Sequence, residues 1–218
     1  MKVVIIGGAG YIGSHVVLDA LERGCDVTVF DDLSTGSKEN INENVHFVHG
    51  STLSTSDLSK LFTLKRYDAV VHLAASKAAG ESMLEPAVYA RNNIIGGQNV
   101  INACSDNNIK IIIFSSSAAV YGLPQYKKID ECHPLCPTNY YGQTKLHIEE
   151  SLKWFSKLKD IKYASLRYFN AAGYDLKKRV KILENNPQNL IPKVMEVAIC
   201  RKTQVAVYGN NYNTKDGT

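Results

Sequence analysis

The run Lys2-Val3-Val4-Ile5-Ile6 passes directly into Gly7-Gly8-Ala9-Gly10-Tyr11-Ile12-Gly13 and then into an apolar helical stretch, Val16 to Leu21. Nothing else in this 218-residue chain restricts the fold as strongly. A β-branched run suits a strand buried on both faces, which is what a parallel sheet demands. Strand, glycine turn and helix in that order form the context of a dinucleotide-binding unit. Gly7, Gly10 and Gly13 let the backbone come close to a pyrophosphate, whose charge is met by amide N–H groups at the helix N-terminus.

The alternation continues. Asp26 to Phe30 reads as a second strand ending at Asp31-Asp32, and an acid at that place would hold adenosine ribose hydroxyls. Two carboxylates oppose a 2′-phosphate, so NAD is expected rather than NADP. Val45 to Val48, Tyr67 to Leu73, Ile109 to Phe114 and Ile161 to Leu166 are further strands. Leu53 to Leu64, Pro86 to Asn107 and Pro137 to Lys157 are helices between them. The expectation is an α/β fold, a doubly wound parallel Rossmann sheet with helices on both faces, over residues 1–170. Residues 171–218 then form a partial substrate-binding lobe: a polar segment from Lys177 to Asn189, a helix from Leu190 to Ile199 and a short strand from Val205 to Tyr208.

Tyr141-Gly142-Gln143-Thr144-Lys145 puts a phenol and an ammonium on one helical face. A nearby ammonium favours the phenolate, which lowers a pKa of about 10 and suits the phenol to take a proton from a sugar hydroxyl. Upstream, the strand Ile111 to Phe114 ends in Ser115-Ser116-Ser117, at the carboxyl edge where open α/β sheets place ligands. Ser117, Tyr141 and Lys145 therefore read as a catalytic set.

Composition narrows the alternatives. The net charge of +4 is dispersed, which argues against nucleic acid, and no stretch approaches the ~20 apolar residues of a membrane span. The opening residues lead straight into a strand, so no signal peptide is expected. Five scattered cysteines suit free thiols in a reducing cytoplasm. Cys132-His133-Pro134-Leu135-Cys136 lacks a second ligand pair, and no metal is expected.

With these residues in view, the chain resembles the extended short-chain dehydrogenases/reductases, and within them the UDP-glucose 4-epimerases, over its whole length. The glycine fingerprint marks only the superfamily. More specific are Asp31-Asp32-Leu33-Ser34-Thr35-Gly36, His72 through Ser82, Leu166 through Gly173, and Tyr208 through Thr218. The resemblance implies that Tyr11, Ile12, Asp31, Asp32, Leu33, Ser34, Thr35 and Gly36 hold the adenosine half of NAD, with Ser51 and Thr52 beside it. It implies that Leu73, Ala74, Ala75, Ser76, Lys77, Asn92 and Ser115 line the pyrophosphate and nicotinamide side, with Phe169 near the nicotinamide. Ser117 and Tyr141 would contact the sugar 4-hydroxyl, and Lys145 the nicotinamide ribose. Lys77, Asn170, Asn189, Leu190, Ala206, Val207 and Tyr208 match positions that contact the UDP-sugar. The implied activity interconverts UDP-glucose and UDP-galactose by C4 oxidation, rotation of the 4-keto sugar and re-reduction, in a protein that is a homodimer when full length.

Two departures accompany the resemblance. Ser51 stands where the family has an acid facing adenine, and the family's arginine-bearing segment beyond Asp-Gly-Thr is not in this sequence. The second departure implies intact NAD binding with weak UDP-sugar binding and poor epimerisation. A nucleotide-sugar dehydratase or decarboxylase is the alternative within the superfamily, but Ala118-Ala119 after Ser117 supply neither acid nor base for elimination. A non-catalytic NAD-binding remnant is the alternative outside enzymes.

Overall fold

Val3, Val4, Ile5 and Ile6 are all buried, and the strand they form, β1 (Lys2–Ile6), is the centre of a six-stranded sheet. In the computed structural model, which describes residues 1–126, 128–181, 189–207, 209–215 and 217, the other strands are β2 (Asp26–Asp31), β3 (His46–His49), β4 (Ala69–His72), β5 (Ile111–Ser115) and β6 (Lys162–Leu166). All pair in parallel in the order β3-β2-β1-β4-β5-β6. The order reverses between β1 and β4, the crevice where doubly wound sheets bind ligands.

The pleat sorts the apolar residues between two faces. Val4, Ile6, Phe30, Val70, Ile112 and Phe114 pack against α2 (Thr55–Leu64), α5 (Gly96–Asp106) and α6 (Tyr140–Lys159) through Leu58, Leu61, Val100, Ile101, Ile148 and Leu152. Val3, Ile5, Val27, Val29 and Val71 face the other way, onto Val17 of α1 (Tyr11–Glu22). On that second face the cover is unequal, because Ile111 of β5 and Leu166 of β6 stay 39% exposed. A complete helix layer on both faces is therefore not what the described residues form.

The run from Pro86 departs from the single helix expected of it. It is α4 (Pro86–Tyr89), a π-helical turn (Ala90–Ile95) and then α5. A short α3 (Ala79–Leu84) precedes it. The wider turn inserts a residue without breaking the helix, and the structure uses it to aim Asn92 and Asn93 at the loop that follows β4.

Two compact units divide the chain, Met1–Leu183 and Glu184–Thr218. The first extends past residue 170 because the next segment is tied back to it: Tyr11 Oη donates to Gly173 O at 2.6 Å, and Lys181 N–H to Asn40 Oδ1 at 3.0 Å. Arg179 pairs with both Asp175 and Glu22. In the second unit α7 (Leu190–Ala198) is amphipathic in sequence but buries none of its side chains. Residues 205–207 are not a strand, since a strand needs a ladder partner for its backbone groups and none pairs with them among the described residues. Tyr208 lies outside those residues, as do 182–188.

Candidate active site

At the end of β1, Gly7 takes φ +84°, a left-handed conformation that a side chain would strain. A Cβ on Gly7 would stand 2.6 Å from Ala74 N, and one on Gly13 would overlap the carbonyl oxygen of Gly7. These two glycines let turn, helix and the β4 loop pack backbone to backbone. Gly10 differs: a Cβ there would meet nothing closer than 3.5 Å, so this side of the turn is open. Gly10 caps α1 without a side-chain bond, and no acid lies in the first turn. The amides of Tyr11 and Ile12 thus form the positive end of a helix that has no side-chain cap and no acid in its first turn, an arrangement suited to an anion.

Asp31 closes the other side. Its carboxylate accepts from Ala9 N at 3.0 Å and Leu33 N at 2.8 Å, which braces the glycine turn and holds Leu33 at φ 60°. Burial raises its pKa above the ordinary carboxylate value. Each oxygen keeps a lone pair beyond its backbone bond. Asp32 accepts from Ser34 N at 3.0 Å and Ser51 Oγ at 3.4 Å, so Ser51 is recruited to the second acid. Gly36 packs on Ala9, and Ser37 N–H donates to Ala9 O, which seats the 33–37 loop, Thr35 included, on the glycine turn. Thr52 accepts at its carbonyl from Asn99 Nδ2 and lies against Gly96 of α5.

After β4, Leu73 N and Ala74 N both donate to Ile6 O. Beyond Ala75, the Ser76 backbone is clamped from both sides by Asn93, which accepts from Ser76 N at 2.8 Å and donates to Ser76 O at 2.9 Å. Asn93 also donates to Thr144 Oγ1 at 3.0 Å, and Asn92 to Ser76 Oγ at 3.0 Å. The loop ends at Lys77, which is exposed. One buried amide thereby joins the β4 loop to α6, between Tyr141 and Lys145.

Tyr141 lies in the first turn of α6. Asn139 caps that helix through Gly142 N at 2.8 Å, and Ser82 Oγ accepts from Tyr141 N at 3.0 Å. A hydrogen bond with Ser117 lowers the Tyr141 pKa, but burial outweighs it and leaves the phenol raised. The sequence led to the opposite direction. The reason is burial of the phenol, beside which Lys145 Nζ donates to Ser115 O at 2.8 Å and stands 5.7 Å from the centre of the Tyr141 ring. Lys145 is 3% exposed, and burial brings its pKa down to about 7. Ser117 caps the turn Ala118–Val120 by accepting from Ala119 N at 3.2 Å. Ala118 N–H donates to Tyr168 O at 2.7 Å, which draws the chain before Phe169 and Asn170 up to Ser117; Phe169 itself is 66% exposed.

Ser117, Tyr141, Lys145 and Ser115 are thus brought together at the carboxyl end of β5, and the glycine turn, Asp31 and Ser76 at those of β1, β2 and β4. Asn189, Leu190, Ala206 and Val207 belong to the second unit, where Asn189 precedes α7 without a side-chain cap bond. Sequence reasoning missed Asn93, Ser82 and Glu149. An Asn-Asn pair inside a helical run was the available sign for the first. Among the described residues no cluster could hold a metal ion, no helix is long and apolar enough to cross a membrane, and all five cysteines are free.

Residues 3–217 match the family described as NAD-dependent epimerase/dehydratase. The chain belongs to that family. Over its full length it is 41% identical to a UDP-glucose 4-epimerase of Halalkalibacterium halodurans, of which it covers 65%. It is similar in structure, at TM-score 0.95 and 38% identity, to the Brucella ovis UDP-glucose 4-epimerase solved with NAD, covering all of this chain and 66% of that one. It is also similar to the Bifidobacterium longum UDP-glucose 4-epimerase solved with NAD⁺ and UDP, at TM-score 0.92 and 33% identity, covering all of this chain and 68% of that one. The chain spans just under two thirds of the length of the first curated relatives it matches.

Proposed function

We propose that this chain carries the NAD site and the proton-transfer group of a UDP-glucose 4-epimerase. The observation that carries the reading is the joint placement of Ser117, Tyr141 and Lys145 at the sheet edge, with alanines directly after Ser117. Tyr141 takes the proton of the sugar 4-hydroxyl and returns it. Ser117, beside the phenol, orients it toward that hydroxyl and shares its charge as the proton leaves. Lys145 supplies a cation whose protonation changes near neutral pH, and its bond to Ser115 fixes it over the Tyr141 ring. The open face at Gly10, with the α1 amides and the Asp31 carboxylate, fits the pyrophosphate and ribose of NAD. What the dinucleotide supplies when bound is reversible hydride acceptance at C4. Elimination chemistry would need a further acid or base beside Ser117, and Ala118 and Ala119 provide none.

The proposed substrates are UDP-glucose and UDP-galactose, and by the resemblance alone Lys77, Asn170, Asn189, Leu190, Ala206, Val207 and Tyr208 are proposed as UDP-sugar contacts. A homodimer is proposed as well, supported by Trp154 and Leu158, one turn apart on α6 and 60% and 71% exposed. Free cysteines suit a cytoplasmic setting. The test is to load the protein with NAD, add UDP-galactose and follow both the reduced-nicotinamide absorbance and the formation of UDP-glucose. Formation of UDP-glucose supports the reading. Bound NAD that is neither reduced nor productive refutes it.

A further inference from the structure

Behind the site lies a half-buried ion pair that the proton transfer does not use. Glu149 stands one turn after Lys145 on α6 and is buried. Arg167, just past β6, grips it with two nitrogens: Nη2 donates to Oε2 at 2.7 Å and Nε to Oε1 at 3.1 Å. Ser116 Oγ donates to the same carboxylate. The remaining arm of Arg167 donates from Nη1 to Tyr121 Oη at 3.1 Å and to the carbonyl of Glu131 at 3.3 Å, and the guanidinium stands 5.0 Å from the Tyr121 ring centre.

The two α6 groups therefore hold successive residues of one short segment. Lys145 takes the carbonyl of Ser115, Glu149 takes the hydroxyl of Ser116, and the next residue is Ser117. Three elements and a loop meet at the pair: the end of β5, α6, the end of β6 and the loop after Ser117. A forked guanidinium–carboxylate contact fixes distance and angle together, which a single charged bond does not. A pair of this kind, with its carboxylate buried, is weak evidence for stability, because desolvation offsets its attraction.

We infer that Glu149 and Arg167 are positioning residues, which hold Ser117 beside Tyr141 by clamping Ser116 to the helix that carries Tyr141 and Lys145. The inference rests on the functional reading above for its catalytic consequence, but not for its geometric one.

The geometric test does not need turnover. The ionisation of Tyr141 is followed by NMR of ¹³Cζ-labelled tyrosine, assigned by Tyr141→Phe, in the wild type, Ser117→Ala and Glu149→Gln. Ser117→Ala should raise the Tyr141 pKa by removing the bond that lowers it. Glu149→Gln should raise it too if Ser117 moves away. Loss of a carboxylate acting only through space would lower a phenol pKa, so the sign separates the two accounts. The other groups facing the phenol, Lys145 over its ring, Tyr89 at its edge and Glu81 bonded to Tyr89, are left in place. An unchanged or lowered pKa overturns the inference.

The second measurement is kinetic. Arg167→Lys keeps the charge and loses the fork; it should lower kcat about 10-fold or more, with KM and NAD affinity by calorimetry within about twofold. Should either variant fail to fold, Tyr121→Phe removes only the outer arm and should lower kcat severalfold, with KM unmoved. Variants with wild-type kcat, or with kcat intact and KM raised, overturn the inference. A wild type that never reduces its NAD refutes the proposed function instead, and the phenol titration still decides the positioning role.

Discussion

Lys145 and Ser115 are joined by a 2.8 Å hydrogen bond from the side-chain amine to the backbone carbonyl, and this bond fixes where the site's one buried ammonium sits. It holds Nζ over the rings of Phe114 and Tyr141, at 5.0 and 5.7 Å from their centres, in surroundings too poor in water to favour the charge. An amine whose pKa is about 7 when folded and about 10.4 when unfolded releases its proton earlier in the folded chain. Between those values the unfolded chain binds more protons, so stability rises with pH through the window. The rise is at most about 1.4 kcal/mol per pH unit. Urea unfolding of the wild type between pH 7.5 and 9.5 should show it, and Lys145→Met should abolish it. Parallel pH profiles in the two proteins would contradict this account of Lys145.

Gly13 and Gly7 make a second backbone contact on which the cofactor cradle depends. A methyl group on Gly13 meets the Gly7 carbonyl, which is backbone and anchored by Gly7 N–H donating to Phe30 O. The conflict can be relieved only by lifting α1 from the turn. Gly13→Ala should therefore destabilise the chain by about 1–3 kcal/mol, read as a fall in thermal midpoint, and should weaken NAD binding by more than 10-fold. Gly24→Ala, in open space, gives the contrast: its cost comes from φ +73° alone and should leave NAD affinity unchanged.

Much of this was legible in advance because it follows from local pattern. Val3 to Ile6 fix a doubly buried strand, the glycines fix the turn, and Ser115 to Ser117 sit where a parallel strand must end. What was not legible depends on long-range placement. The lowered Tyr141 pKa expected from helical spacing failed, because spacing states only that Tyr141 and Lys145 share a face, not how deeply the phenol is buried. The π-helical turn at Ala90–Ile95 was hidden for a similar reason: its extra residue is stabilised by Asn93 bonding Ser76 and Thr144, partners 17 and 51 residues away. Val205 to Val207 have strand-forming side chains, but propensity gives no ladder partner.

Cofactor choice follows from the two acids after β2. Asp31 is tied to Ala9 and Leu33 and cannot turn away, and Asp32 is held by Ser34 and Ser51. If the two acids face the adenosine ribose, as proposed, a 2′-phosphate there would meet negative charge from both, at a cost of about 1 kcal/mol or more for each close pair. NAD should bind at least 10-fold tighter than NADP in calorimetric titration. Asp32→Asn should narrow the gap without harming NAD binding, whereas Asp31→Asn should weaken both by loosening the Ala9 turn. Equal affinities in the wild type would refute this reading of the acids.

Tyr141 provides the last test, because its two roles can be separated. As packing, the ring lies edge-on to Tyr89 at 6.5 Å and under Lys145, and phenylalanine preserves all of that. As chemistry, the proposed proton carrier is the hydroxyl, the one group that phenylalanine lacks. Tyr141→Phe should keep the melting temperature within a few degrees and NAD affinity within about twofold, while hydride transfer falls by ~10²–10⁴. Ser117→Ala should fall less, since the phenol remains and only its orientation and hydrogen bond are lost. The order of rates is therefore wild type, then Ser117→Ala, then Tyr141→Phe, measured as the single-turnover appearance of reduced nicotinamide on adding UDP-galactose. A Tyr141→Phe protein that reduces its cofactor as fast as the Ser117→Ala protein would mean that some other group removes the proton, and the buried Lys145, with its pKa near neutrality, would be the group to test next.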